Sequence, residues 1–221
     1  LDYFPLDKGR VWTYDVAVTR DDDTPERETQ TLRALGRDED GGVGSAAWHR
    51  RDDNGIDYWL QADATGVWRV AAKSDVDPEP RPDPVATPAS DAAEGQRRRW
   101  VLRAPLATGT QWSTMTTAYL LMRRAEFPRE IRHTHPPVLM TYVIEATDET
   151  VEVPAGRFTA CLRVHGTARM RLFADSVGGW QDMPLDTLEW YCPGVGLTRL
   201  ERHEPVPARS TFLTGGRLVM E

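Results

Sequence analysis

Long hydrophobic runs are absent from this chain of 221 residues, and with them the roughly 18 to 20 consecutive apolar residues that a membrane-spanning helix needs. Cysteine is scarce. Cys161 and Cys192 are the two present, too few for a disulfide scaffold and too far apart for a zinc knuckle. A single bridge and a pair of buried thiols both fit, whereas a catalytic thiol is disfavoured because neither cysteine belongs to a CxxC pair. Glycine-rich phosphate loops are also missing: Gly41, Gly42 and Gly44 follow an acidic run and precede neither a lysine nor a helix, which excludes a nucleotide cradle. There is no GxSxG elbow, and the serines at 45, 74, 90, 113, 176 and 210 have no local context that supplies a base or an oxyanion hole. Excess positive charge is lacking too. The formal net charge of −7 argues against a nucleic-acid or anionic-membrane partner, since both require a basic face. The short basic clusters Arg50-Arg51, Arg97-Arg98-Arg99 and Arg123-Arg124 read as solvated faces balanced by acidic runs such as Asp21-Asp22-Asp23.

Helical periodicity is nearly absent as well, and what fills the chain instead is alternation with period two. Trp12, Tyr14, Val16 and Val18 point one way while Thr13, Asp15, Ala17 and Thr19 point the other, the pattern of a half-buried antiparallel strand. Further strands are expected at 27–37, 44–51, 55–63 and 66–73, separated by turns such as Asp40-Gly41-Gly42 and Asp53-Asn54-Gly55. Ser74 to Gln96 carries Pro78, Pro80, Pro82, Pro84 and Pro88 among acidic and small residues, and reads as an exposed linker or long loop poor in ladder donors. Strands are then expected at 97–103, 138–153, 157–174, 185–192, 196–204 and 208–221, with a strand or short helix at 114–126. Pro154-Ala155-Gly156 turns the 138–153 and 157–174 strands into a hairpin. In Pro193-Gly194-Val195-Gly196 the proline fixes the strand exit and the glycines permit positive φ, shaping a tight turn beside Trp190.

One octapeptide frame, PLxxGxxW, occurs twice, as Pro5 to Trp12 and as Pro105 to Trp112. A second correspondence follows: Tyr58-Trp59-Leu60 before Gly66-Val67-Trp68-Arg69-Val70, and Glu189-Trp190-Tyr191 before Gly196-Leu197-Thr198-Arg199-Leu200. The spacing differs between the two pairs of matches, so two organisations stay open. One is a single β domain over 1–221 with a proline-rich loop at 74–96; the other is a pair of pseudo-repeat halves, 1–73 and 97–221. The fold expected under either is all-β, an antiparallel meander forming an open or half barrel, with two duplicated halves as one origin and little helix.

The constellations that could carry chemistry are thin. His133 and His135 would share a face of an extended segment, with His165 or His203 to complete a metal set and Glu126 and Glu130 as local carboxylates, but Pro136-Pro137 points to a rigid loop. Glu189 and Glu201 are one of many acidic pairings available among 34 Asp and Glu residues, so pairing alone implies nothing. The eight tryptophans, Trp12, Trp48, Trp59, Trp68, Trp100, Trp112, Trp180 and Trp190, fall mostly on expected strands, where they fill a core more often than they line a groove. No catalytic, cofactor-binding or metal-binding residue is named by the sequence.

Tyr3-Phe4-Pro5-Leu6 with Gly9, Trp12 and Tyr14, then Val153-Pro154-Ala155-Gly156 with Phe158, Cys161 and Leu162, then Trp190-Tyr191, Pro193 to Leu197 and Glu201, together resemble a broad group of uncharacterised bacterial exported proteins and lipoproteins. The resemblance implies an antiparallel β structure similar to the lipoprotein carrier fold, in the periplasm or tethered to a membrane as a lipoprotein. The chain opens at Leu1 rather than at a methionine, which fits a removed signal peptide, a removed lipid anchor or a trimmed start. The expectation is a non-catalytic extracytoplasmic or envelope-associated protein that binds an apolar small molecule, a lipid or another envelope protein. A hydrolase with a site assembled from separate strands, and a purely structural assembly module, are the alternatives.

Overall fold

The computed structural model describes residues 2–21, 25–39, 45–74, 77–82, 98–123, 135–175, 177–207 and 213–221. These form fifteen strands and, among the described residues, no helix: β1 (Val11–Arg20), β2 (Glu26–Asp38), β3 (Ala47–Asp52), β4 (Ile56–Asp63), β5 (Gly66–Ser74), β6 (Asp77–Pro82), β7 (Arg99–Arg103), β8 (Gln111–Thr116), β9 (Met122–Arg123), β10 (Val138–Val153), β11 (Gly156–Asp175), β12 (Gly179–Cys192), β13 (Gly196–Glu204), β14 (Leu213–Thr214) and β15 (Gly216–Met220). β9 and β14 make a separate two-stranded ladder. All the others belong to one antiparallel sheet, ordered β6-β5-β4-β3-β2-β1-β15-β13-β12-β11-β10-β8, with β7 sharing the free edge of β5. β7 also approaches β8 but forms no ladder with it, so the sheet curls into a twelve-strand barrel with one unsealed seam.

Alternation explains which side chains enter this barrel. On β1 Tyr14 and Val16 are buried while Thr13 and Asp15 are exposed, in the phase read from the sequence. The outward positions carry charge. Arg163 reaches Glu145 at 3.2 Å and Glu149 at 2.9 Å, and Arg199 reaches Glu201 at 2.8 Å, so these outer faces meet water rather than acyl chains. Among the described residues no helix is long and apolar enough to cross a membrane.

The two PLxxGxxW frames are built alike. The N–H of Gly9 donates to the Ala34 carbonyl at 2.9 Å and the Ala34 N–H to the Arg10 carbonyl at 2.9 Å; Gly109 donates to Ile144 at 2.8 Å and Ile144 to Thr110 at 3.0 Å. Gly9 and Gly109 both sit at φ 90°, a conformation that strains any residue with a Cβ, which is why the frame holds a glycine there. Each frame starts a run of strands, β1 to β5 in one case and β8 with β10 to β13 in the other. The runs end differently. β15 pairs with both β13 and β1 and seals that junction, whereas β7 pairs with β5 alone.

Two clusters fill the interior. Phe4, Leu6, Trp68, Trp100, Trp112 and Ile144 gather near the unsealed seam, and Leu121, Met140, Met170, Met183, Leu185 and Leu213 form a second cluster. Each fully buried apolar side chain contributes about 1.5–3 kcal/mol relative to exposure, so the sheet is held mainly by these two clusters.

Besides dividing the described part of the expected 208–221 strand into β14 and β15 of different sheets, with 208–212 outside the described residues, the structure departs from the sequence reading in three further places. Within the stretch read as a loop, Asp77–Pro82 is a strand pairing with β5. Prolines at alternate positions leave the intervening Glu79 and Arg81 with N–H groups on one side, which suffices for an edge strand with a single neighbour. Residues 75–76 and 83–96 of that stretch lie outside the described residues. Second, the described part of 114–126, up to Arg123, is neither one strand nor a helix, and 124–126 lies outside the described residues. β8 ends at Thr116, and Ala118, Leu120 and Leu121 continue as an irregular buried segment whose N–H groups are met by a side chain. Third, β12 begins at Gly179 rather than 185 and, with β11, reaches a tip at 175–179. Between the alternatives for the cysteines, the structure has the bridge: Cys161 and Cys192 form a disulfide across β11 and β12.

Candidate functional site

A cavity of about 300 Å³ opens inside the barrel between β1–β5 and the far wall of β12, β13 and β15. Leu32, Leu60, Val101, Leu197 and Met220 give it apolar sides, with Phe4, Trp12, Tyr14, Tyr58 and Tyr191 as aromatic panels. Its place follows from local folding. The segment before β1 turns back under the barrel, where the Trp12 indole N–H donates to the Val195 carbonyl at 2.7 Å and the Tyr14 hydroxyl to the Leu197 carbonyl at 2.8 Å. Arg10 donates to the Gly194 carbonyl at 2.6 Å, and the Gly194 N–H to the Asp2 carbonyl at 2.9 Å. The Pro193–Gly196 turn therefore anchors the N-terminal segment. Its two glycines have φ 71° and 96°, as the turn chemistry predicts.

At the floor of the cavity lies Arg50, 7 % exposed. Its guanidinium is sandwiched, 4.1 Å from the Phe4 ring centroid and 4.5 Å from that of Trp12, and Nη2 donates to the Pro5 carbonyl at 2.5 Å. Nε is buried without a hydrogen-bond partner, and among the described residues no carboxylate forms an ion pair with Arg50. Burial brings the Arg50 pKa down to about 10, a drop that Tyr14 and Tyr191 oppose and Arg10 adds to, so the group remains charged at neutral pH. Burial also raises the Tyr58 pKa to about 12, with Asp52 adding to the rise, and pushes Tyr14 and Tyr191 upward, leaving all three phenols as neutral donors. Asp52 is already engaged. Its Oδ1 accepts from the Ile56 N–H at 2.8 Å, and its Oδ2 faces the Tyr58 hydroxyl at 3.4 Å.

The groups singled out from the sequence lie elsewhere. His133, Glu126, Glu130, Ser90, Ser176 and Ser210 fall outside the described residues. His135 is buried, with Nε2 against the Leu121 carbonyl at 2.6 Å. His165 is held on the outer face between Glu145 and Asp186, each at 2.8 Å, and His203 is exposed. Among the described residues no three of His, Cys, Asp and Glu could hold a metal ion together. Glu189 and Glu201 sit on opposite faces of the sheet: Glu189 accepts from the Tyr191 hydroxyl at 2.5 Å, and Glu201 binds Arg199 and Arg217 outside. Ser113 meets Thr141, and Ser45 meets Gln61. Of the tryptophans, Trp59, Trp68, Trp100 and Trp112 are core residues, Trp12 lines the cavity, and Trp180 is 64 % exposed near the β11–β12 tip.

Arg50 itself was read as part of a solvated face, and the structure corrects that for one of the two arginines. Arg51 does point outward, 2.8 Å from Asp57, but Arg50 points in. The available signal was phase: in period two, Arg50 shares its face with Trp48 and Asp52 rather than with Arg51.

Fold and site together define an antiparallel β-barrel protein with an apolar interior cavity floored by a buried guanidinium. No family model matches the chain, and no curated protein matches it. Among solved structures it is similar to a "putative lipoprotein" from Parabacteroides distasonis, with 14% identity and a TM-score of 0.40 over 99% of this chain and 96% of that one. It is also similar to a "putative exported protein with YmcC-like fold" from Bacteroides fragilis, with 15% identity and a TM-score of 0.37 over the same shares.

Proposed function

We propose that this is a non-catalytic extracytoplasmic binding protein that holds an apolar small molecule inside its barrel. The cavity carries the reading: about 300 Å³, walled mainly by aliphatic and aromatic side chains with few polar groups, it has the character of a small-ligand site. Of the candidate hydrolytic groups among the described residues, His165, Glu201 and Ser113 sit on the outside of the sheet, away from the cavity. An extracytoplasmic address is supported by the Cys161–Cys192 bridge, since such bonds persist in oxidising compartments.

The neutral probe N-phenyl-1-naphthylamine tests the binding reading. Its fluorescence is expected to rise saturably with one site per chain. Leu197→Trp, which fills the cavity from β13, is expected to abolish the rise while leaving the urea midpoint of the folded protein in place. Absence of saturable enhancement in the native protein overturns the reading. The address has its own check: protein recovered from cells without reductant is expected to show no free thiol after denaturation, and two titratable thiols would refute the oxidising compartment.

A further inference from the structure

We infer that the ligand is an organic monoanion, an apolar body ending in a carboxylate, and that Arg50 receives the carboxylate at the floor of the cavity. This rests on the binding reading above and names the chemistry of its ligand. A guanidinium offers five N–H donors, and among the described residues the one acceptor that Arg50 has is the Pro5 carbonyl. Nε has no partner, and no described carboxylate answers the charge. Buried charges are ordinarily paired, so a buried guanidinium beside an apolar cavity and unanswered by any described carboxylate is complementary to a ligand anion.

The rest of the lining agrees. Asp52, the one carboxylate among the lining residues, is held by the Ile56 N–H and directed to the Tyr58 hydroxyl, so it does not answer Arg50. A neutral apolar guest would leave Arg50 unanswered, and a cation would be repelled. A dianion would exceed the single charge that is free to receive it. A carboxylate, by contrast, matches the guanidinium in charge and can take two of its donors at once.

Displacement of N-phenyl-1-naphthylamine by decanoate, decanol and decylammonium at neutral pH tests this, because the three share one apolar body and differ in the head group. Decanoate is expected to displace the probe at concentrations about tenfold lower than decanol, with decylammonium weakest, as a charge-assisted pair requires. Arg50→Met is expected to remove the preference for decanoate over decanol, each ranked against the affinity of the variant itself for the probe. If the probe binds the native protein but decanoate and decanol displace it equally, the anion assignment is overturned and the binding reading stands. If the probe does not bind at all, the binding reading falls and this one with it. Should Arg50→Met fail to fold, the ranking of the three ligands on the native protein decides alone.

Discussion

Arg50 and Arg202 are both buried inside the same barrel, 7 % and 3 % exposed, and their surroundings are opposite. Arg202 on β13 donates from Nε to Glu204 at 2.9 Å and from Nη2 to the Thr117 carbonyl at 3.3 Å, beneath the Tyr119 ring. Glu204 in turn accepts from the backbone N–H groups of Tyr119, Leu120 and Leu121, the last two at 2.9 and 2.8 Å. That pair closes on itself and clamps an irregular segment that has no ladder of its own. Arg50 has one carbonyl, two aromatic faces and a cavity. Burial is common to both, so burial alone distinguishes nothing. What differs is whether a described residue supplies the counter-charge: Arg202 is fastened to Glu204, whereas Arg50 has no such partner, as the proposed ligand site requires.

The strongest way to break this comparison is to remove each partner in turn. Glu204→Ala strips a buried guanidinium of its carboxylate and orphans three backbone donors, so the loss is expected to reach roughly 3–5 kcal/mol in urea unfolding. Arg50→Met removes a charge that no described carboxylate answers, and forfeits the Pro5 bond and the ring contacts in doing so. A loss of about 1–2 kcal/mol is expected, since deleting an unpaired buried charge offsets part of what those contacts contributed. Equal and large losses in the two variants would show that Arg50 is also a fastening, and the difference drawn here would collapse.

How much of this could be read beforehand depends on how local the cause is. The strands at 138–153 and 196–204 have the boundaries that alternation gives, because the period of a half-buried strand is written in adjacent residues. Barrel closure through β1 and β15 is not, since it joins the two ends of the chain. The irregular segment at 118–121 was ambiguous for the same reason: its N–H groups are satisfied by Glu204, more than eighty residues onward, and no window around Tyr119 contains that information. The cavity is a stronger case. The phase of Arg50 with Trp48 and Asp52 was visible, but Pro5 is 45 residues earlier, and Tyr191 and Leu197 come from the opposite wall. The cysteines likewise meet through the pairing of Leu162 with Tyr191, which their spacing does not disclose.

The outer face sharpens the comparison at the smallest scale. His165 places Nδ1 2.8 Å from Glu145 and Nε2 2.8 Å from Asp186. A neutral imidazole carries a proton on one nitrogen, so two carboxylate acceptors select the doubly protonated ring. Partial burial pulls its pKa down, but the hydrogen bonds and charges of Asp186 and Glu145 outweigh this and hold it above the ordinary value. The stabilisation is therefore fully present below the unfolded-state pKa of about 6.5 and is lost as pH rises through the higher folded-state value. Because water reaches this pair, its worth is expected to be a few tenths to about 1 kcal/mol, several-fold below the interior pair at Arg202. Urea unfolding of the native protein and His165→Gln across roughly pH 5 to 9 measures it. The gap between the two is expected to be widest at the acid end and to close toward the alkaline end. A gap that stays constant with pH would mean that the imidazole acts through packing, and that the outer carboxylates do not hold a charge as Glu204 holds Arg202.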